Sequence, residues 1–177
     1  MFGRPLEVAI AICYSDALPT DCSEVGATKK VLVIYHSQEY GNRAACAALV
    51  ASGVRSAGDI EVELVNTHTV NRVDIERLAA CDGLAIGSPD YASYVAGTIK
   101  QLFDDMYVAG KRGISLAGKP CVLFMTHGGG GAGIRALKAL SGRLNVVADA
   151  FVCRGAPEAG CPEAVALGRT LGNVVLG

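Results

Sequence analysis

Three short runs of this chain are apolar from end to end, and nothing else in it constrains the fold as strongly. They are residues 31–35 (VLVIY), 83–86 (GLAI) and 121–125 (CVLFM). Strands without polar alternation must be covered on both faces, as in the middle of a parallel sheet. Helical patterns lie between them at 42–54, 73–80, 95–107 and 132–144, with a closing helix at 162–175. Within 95–107, Ile99, Leu102, Phe103 and Met106 recur at the spacing of one helix face. Segment 60–65 (IEVELV) alternates instead, with Glu61 and Glu63 on one side, as expected of an edge strand. A fifth strand is expected at 146–152.

Strands alternating with helices predict an α/β fold, a doubly wound five-stranded parallel sheet with helices on both faces. A second strand at the edge fits the order 2-1-3-4-5, whose switch point lies between the first and third strands. Ligands of such sheets bind at the carboxyl ends of the strands. The expected site is therefore built from whatever follows Tyr35, Ile86 and Met125.

Those connections share a character. The first is 36–42 (HSQEYGN), the second 87–94 (GSPDYASY) and the third 126–133 (THGGGGAG). Each is crowded with small polar residues, glycine or tyrosine. The first opens a helix, whose free N–H groups and partial positive charge favour an anion. Ser37 and Asn42 add a hydroxyl and an amide, and Gly41 admits a close backbone approach; alternatively, Ser37 and Asn42 only cap the helix. The chain lacks G-x-x-x-x-G-K-[ST], so a neutral cradle suits a phosphate monoester better than a nucleoside triphosphate with magnesium. Glu39 is expected to point outward; Arg43 either pairs with the phosphate or lies on the helix surface, the surface being slightly preferred.

The second loop carries Tyr91 and Tyr94 beyond Pro89, rings that either stack on a flat cofactor or pack on the next helix. In the third, four consecutive glycines at 128–131 fit either a close backbone approach to a ligand or a mobile surface loop. Gly128, Gly130 and Gly133, with Asp149 about 20 residues further on, also satisfy the dinucleotide pattern G-x-G-x-x-G. A polyglycine run meets that pattern by composition alone, and the fingerprint belongs on a first strand, so the dinucleotide reading is set aside.

Composition removes other classes. The 177 residues suffice for one domain with a substantial core. With 51% apolar and 19% charged residues, disorder is not expected. A net charge of -1 gives no nucleic-acid footprint. No apolar run approaches the ~18 residues of a membrane span. Residues 8–13 (VAIAIC) are too short for a signal core, with Glu7 before them and no A-x-A site after; they are expected to form an extra strand or an ordered arm. Seven cysteines, an odd number without a C-x-x-C pair, read as small buried hydrophobes in a reducing cytoplasm rather than a metal site. His36 and His127 fall at the ligand end, and His68 follows the edge strand; none is assigned a catalytic proton, and no metal ligand is assigned.

Taken together, three segments resemble the flavodoxin-like family of FMN proteins, from flavodoxins to NAD(P)H:quinone oxidoreductases. VLVIYHSQEYGN resembles that family's first strand and phosphate loop. GLAIGSPDYASYVAGTIKQLFDD resembles its third strand, flavin loop and helix, and LAGKPCVLFMTHGGGG its fourth strand. The likeness runs from Lys30 to the end, leaving 1–29 as an N-terminal extension to a domain at 30–177. It implies a three-layer sandwich of the same strand order and non-covalently bound FMN. By position, Ser37, Gln38, Tyr40, Gly41 and Asn42 would surround the phosphate. Ser88, Pro89, Asp90 and Tyr91 would line one side of the isoalloxazine, and Thr126, His127, Gly128, Gly129 and Gly130 the other.

The chain departs from the family pattern in places. Its phosphate loop has an extra residue, Arg43 stands where threonine is common, and Asp90 replaces the more usual threonine of the flavin loop. The resemblance implies electron transfer through FMN, with a redox partner protein or a small acceptor such as a quinone. The alternatives are an NAD(P)H-dependent FMN quinone reductase and a flavin-free interaction module of the same fold. Near-neutral charge weakens the case for a soluble carrier docking on basic partners. Members of the family often associate, so 8–13 is a candidate exchanged strand in a homo-oligomer.

Overall fold

The structure is a computed structural model that describes residues 28–38 and 40–177. The arm expected at 8–13, the outward orientation of Glu39, and Cys13 and Cys22 lie outside the described residues. Strands β1 (Lys29–Tyr35), β2 (Ile60–Asn66), β3 (Gly83–Pro89) and β4 (Pro120–His127) pair in parallel. With β5 (Asn145–Val146) they give the order β2-β1-β3-β4-β5, as expected from the burial pattern of the sequence.

Alternation along β1 divides the core. Leu32 and Ile34 face one side with Leu84 and Ile86 of β3, where Leu78, Ile99, Leu102 and Leu137 cover them. These belong to α2 (Ile75–Ala80), α3 (Gly97–Lys111) and α4 (Ile134–Leu140). Val31 and Val33 face the other side, against Cys46, Val50 and Val54 of α1 (Asn42–Arg55) and Leu167 and Leu171 of α5 (Pro162–Leu176). There the two helices meet backbone to backbone. A Cβ added at Gly53 would fall 2.0 Å from the Val165 carbonyl oxygen, and one at Gly168 would fall 1.9 Å from that of Val50. No larger side chain fits there, which is why helical glycines are tolerated despite their ~1 kcal/mol propensity cost.

The fifth strand differs from the expected continuous run at 146–152. It is split between β5 and β6 (Phe151–Arg154), both paired with β4. Cys121 pairs with Val146 and Phe124 with Phe151, so residues 122–123 of β4 face residues 147–150. The two surplus residues bulge out of the sheet, as edge strands permit. Asp149 lies in that bulge rather than at a strand end, which agrees with setting aside the dinucleotide reading.

At the amino ends of the strands, polar groups are closed off by protein. The Asp82 carboxylate accepts the Lys30 backbone N–H at 2.8 Å and the Lys29 ammonium at 3.0 Å. Lys119 reaches across to donate to the Ala79 carbonyl at 3.1 Å and to that of Cys81. Among the described residues, no helix is long and apolar enough to cross a membrane.

Candidate functional site

The carboxyl ends are built differently. After β1 the chain turns into a loop held by the neighbouring strands. The His36 N–H donates to the Gly87 carbonyl at 3.2 Å, and the Asn66 side chain brackets Ser37. Asn66 accepts the Ser37 N–H at 3.0 Å and donates to its carbonyl at 2.9 Å. Gly41 then enters α1 with φ of 66°, a left-handed conformation that glycine adopts without steric cost. Among the described residues no side chain caps α1, so its first-turn N–H groups are open to a ligand; of the two readings of Ser37 and Asn42, capping is not the one used.

A small polar network lies beneath this loop. His36 Nδ1 is 2.8 Å from Thr98 Oγ1, which is 2.7 Å from Thr67 Oγ1. The His36 ring meets His68 and Tyr91 edge-on at 5.6 and 6.0 Å between centroids. Burial, then the nearby His68 and Arg43, hold the His36 pKa below its ordinary value, so the ring is kept neutral. Gln38 ties the layer together, accepting from the Tyr91 hydroxyl at 3.2 Å while its amide nitrogen lies 3.5 Å from His68 Nδ1.

The second loop crosses above. The Ser88 hydroxyl donates to the Pro89 carbonyl at 2.8 Å and accepts the Ala96 N–H at 3.0 Å, so it shapes the loop rather than facing a ligand. Tyr91 and Tyr94 exchange backbone hydrogen bonds around a two-residue turn at Ala92 and Ser93. Both turn residues have positive φ, 51° and 64°. Such strain in non-glycine residues collects at ligand clamps, and the sequence gives no sign of it because neither residue is Gly or Asn. The Asp90 N–H donates to the Thr126 carbonyl at 3.0 Å, joining the second loop to the end of β4.

The third loop approaches the second through Gly133. A Cβ there would fall 2.9 Å from Asp90 Oδ1 and 2.9 Å from the Tyr94 carbonyl oxygen. Gly133, the last residue of the loop, therefore serves contact between loops. By contrast, a Cβ at Gly128, Gly129 or Gly130 would meet nothing within 4 Å. This wall is open, as a surface that receives a ligand must be.

Among the described residues, five buried side-chain atoms have no hydrogen-bond partner: His36 Nε2, Ser37 Oγ, Asp90 Oδ1, Thr126 Oγ1 and His127 Nδ1. All five belong to the three loops or to the strand end that opens one of them. Leaving a buried polar group unpaired costs about 1–3 kcal/mol, so five together mark a surface completed by something other than this chain. Of the residues expected at the site, Ser37, Asp90, Thr126 and His127 are of this kind. Tyr40, by contrast, is 82% exposed and projects from the loop. Pro89 is buried at the end of β3, and Tyr91 is partly exposed beside Gln38. The site also contains Asn66, Thr67 and Thr98, which motif reading did not single out, together with His36, expected at the ligand end, and Arg43, expected at the phosphate or on the helix surface.

The sequence profile of the NADPH-dependent FMN reductase family matches residues 29–158. The chain belongs to that family. It is a flavodoxin-like protein of an FMN-binding family. Flavodoxin from Aquifex aeolicus is 38% identical over 104 residues, covering 59% of this chain and 53% of that protein. Flavo-diiron protein FprA2 of Clostridium acetobutylicum is 28% identical over 141 residues, 76% of this chain and 34% of the relative. The chain thus spans about half the length of the first of these relatives, and less of the second. A solved flavodoxin from the domain Archaea superposes with a TM-score of 0.69 at 22% identity, over 84% of this chain and 99% of that one. The structural likeness supports the fold.

The site's donor set fits FMN. Hydroxyl, N–H and cationic groups gather at the α1 end, where a phosphate would sit. Flat polar edges and open glycine backbone flank the space between the second and third loops, where a ring would lie.

Proposed function

We propose that this family member transfers electrons between a redox partner and an acceptor through one non-covalently held FMN. The observation that supports it is the set of five orphaned buried polar atoms confined to three loops at the switch point. When bound, FMN supplies the redox chemistry, and the protein positions and tunes it. Ser37, Gly41, Asn42 and the α1 N–H groups hold the phosphate, and the Asn66 bracket fixes Ser37 for that task. Asp90 and Tyr91 on one side, with Thr126, His127 and the open glycines on the other, hold the ring. Asp90 places negative charge beside it, so Asp90→Asn raises the flavin midpoint potential; an unchanged potential removes Asp90 from the ring's surroundings.

A second reading is NAD(P)H-dependent reduction of a quinone-like acceptor. Its support is the open wall at Gly128, Gly129 and Gly130, which leaves room for a second small molecule, together with the family's description as NADPH-dependent. For the domain division we propose an extension over 1–29 and a flavodoxin-like domain over 30–177. The profile match and β1 both open at residue 29.

Titrating the purified protein with FMN and following visible absorption and flavin fluorescence tests the reading. Saturable quenching with flavin bands on the protein is expected, and failure to bind FMN would leave a flavin-free module in its place. Rapid bleaching of the bound flavin by NAD(P)H would favour the reductase, and its absence the carrier.

A further inference from the structure

Of the two positions open to Arg43, the phosphate loop or the helix surface, the structure has it buried against the loop. It is the second residue of α1 and only 8% exposed. Its Nε donates to the His36 carbonyl at 3.1 Å, and its guanidinium carbon stands 5.8 Å from the centre of the Tyr91 ring. The side chain thus bends back from α1 over the first loop toward the second. Among the described residues it makes no ion pair, and its terminal amines have no protein acceptor.

The other paired cations make the contrast clear. Lys29, Lys30, Arg72, Arg77 and Lys100 each face a carboxylate, and their side chains are 33–63% exposed. Among the described residues Arg43 is more buried than any of these and has no acidic partner. Burying a guanidinium without a counter-charge is unfavourable, unless the counter-charge arrives with a ligand. Two further features of the same loop and helix end point the same way. Ser37 is 4% exposed with its hydroxyl unpaired, and the first turn of α1 is uncapped. A hydroxyl, helix N–H groups and a forked cation converge on one loop, which is the donor set of a phosphate dianion.

We propose that Arg43 is a specificity-determining residue. It clamps the terminal phosphate of FMN, so the site selects the phosphorylated flavin over riboflavin by charge and not by neutral hydrogen bonds alone. This rests on the FMN reading above and adds to it a residue that family position would give as threonine.

The test is a fluorescence titration of the wild type and of Arg43→Thr, Arg43→Lys and Arg55→Thr with FMN and with riboflavin, each at low and high salt. Arg43→Thr is expected to weaken FMN binding about 10- to 100-fold, the worth of a charge-assisted hydrogen bond, and to leave riboflavin binding unchanged. The wild-type affinity for FMN should fall with salt more steeply than that of Arg43→Thr. Arg43→Lys, which keeps the charge and loses the fork, should fall between them. Arg55→Thr removes the same charge from the far end of α1, where Arg55 donates to the Val62 carbonyl at 2.8 Å, and should change neither ligand's affinity.

Equal loss of FMN and riboflavin binding in Arg43→Thr, or no loss of either, overturns the proposal while the FMN reading stands. A wild type that binds neither flavin overturns both. If Arg43→Thr does not fold, the wild type and Arg43→Lys still decide: an FMN affinity independent of salt, and equal in the two, overturns the role of Arg43.

Discussion

The two ends of the same sheet treat polar groups in opposite ways. At the amino end, Asp82 takes up the Lys30 N–H and the Lys29 ammonium, and Lys119 closes two carbonyls. At the carboxyl end, five buried polar atoms are left open. One sheet supplies both ends, so strand geometry is not the cause. The difference lies in what the connections bring. The amino-end connections supply long cations that reach across strand ends and close the ledger locally. The carboxyl-end connections supply short side chains and glycine, which cannot reach one another. An end built to be finished by protein contributes stability, and an end left unfinished contributes binding.

The sharpest way to break this comparison is Ser37→Ala. It should weaken FMN binding by about 1.5–3 kcal/mol, or roughly 10- to 100-fold. The ligand-free protein should be as stable as the wild type or more so, because the alanine removes a polar atom that had no partner. Paired affinity and thermal-unfolding measurements check both halves; a clear loss of ligand-free stability would mean that Ser37 belongs to the framework. The mirror experiment is Lys119→Met, which orphans two carbonyls and should cost about 1–2 kcal/mol of stability by denaturant titration. FMN affinity should be unaffected, since Lys119 sits at the far end.

Acid separates the ends by pH window. His36 has a lowered pKa in the folded protein, so the unfolded chain binds more protons as pH falls through about 6.5. Its contribution is complete above that value and declines on acidification below it. Burial raises the Asp82 pKa, but the Lys30 N–H and Lys29 outweigh it and the net shift is downward. Its contribution is complete above about 3.8 and is lost only as pH falls further, through the folded value. His36→Phe should therefore flatten the stability profile on acidification below about pH 6.5. Asp82→Asn should flatten it only in stronger acid. A profile that His36→Phe leaves unchanged above pH 5 would remove histidine from the ligand end's acid sensitivity.

The smallest effect concerns the strained turn. Ala92→Gly relaxes a φ of 51° and should stabilise the ligand-free protein by about 0.5–1 kcal/mol. Stability unchanged in denaturant titration would mean that the turn carries no strain.

Much of this architecture was legible before any coordinates. The two-sided apolar runs fixed which strands are central, and strict alternation at 60–65 placed β2 at the edge. Ser37, Asp90, Thr126 and His127 were legible because polar residues clustered where a switch point was expected. Asn66, Thr67 and Thr98 escaped as a group because they come from β2, the connection after it, and α3. Arg43 was left between two positions for a different reason. Helical periodicity sorts faces along a helix axis, whereas a first-turn side chain can turn back past the helix end. The fifth strand misled because an apolar run at a sheet edge does not reveal a bulge.

The sequence by itself determined the layers, the strand order and the end at which the three polar loops gather, because burial patterning and chain direction are local properties. Only the tertiary structure decided which polar atoms at that end stay unpaired and that a cation is buried among them. A hydrogen bond depends on distances of a few tenths of an ångström between segments far apart in the chain, and no single segment records its partner.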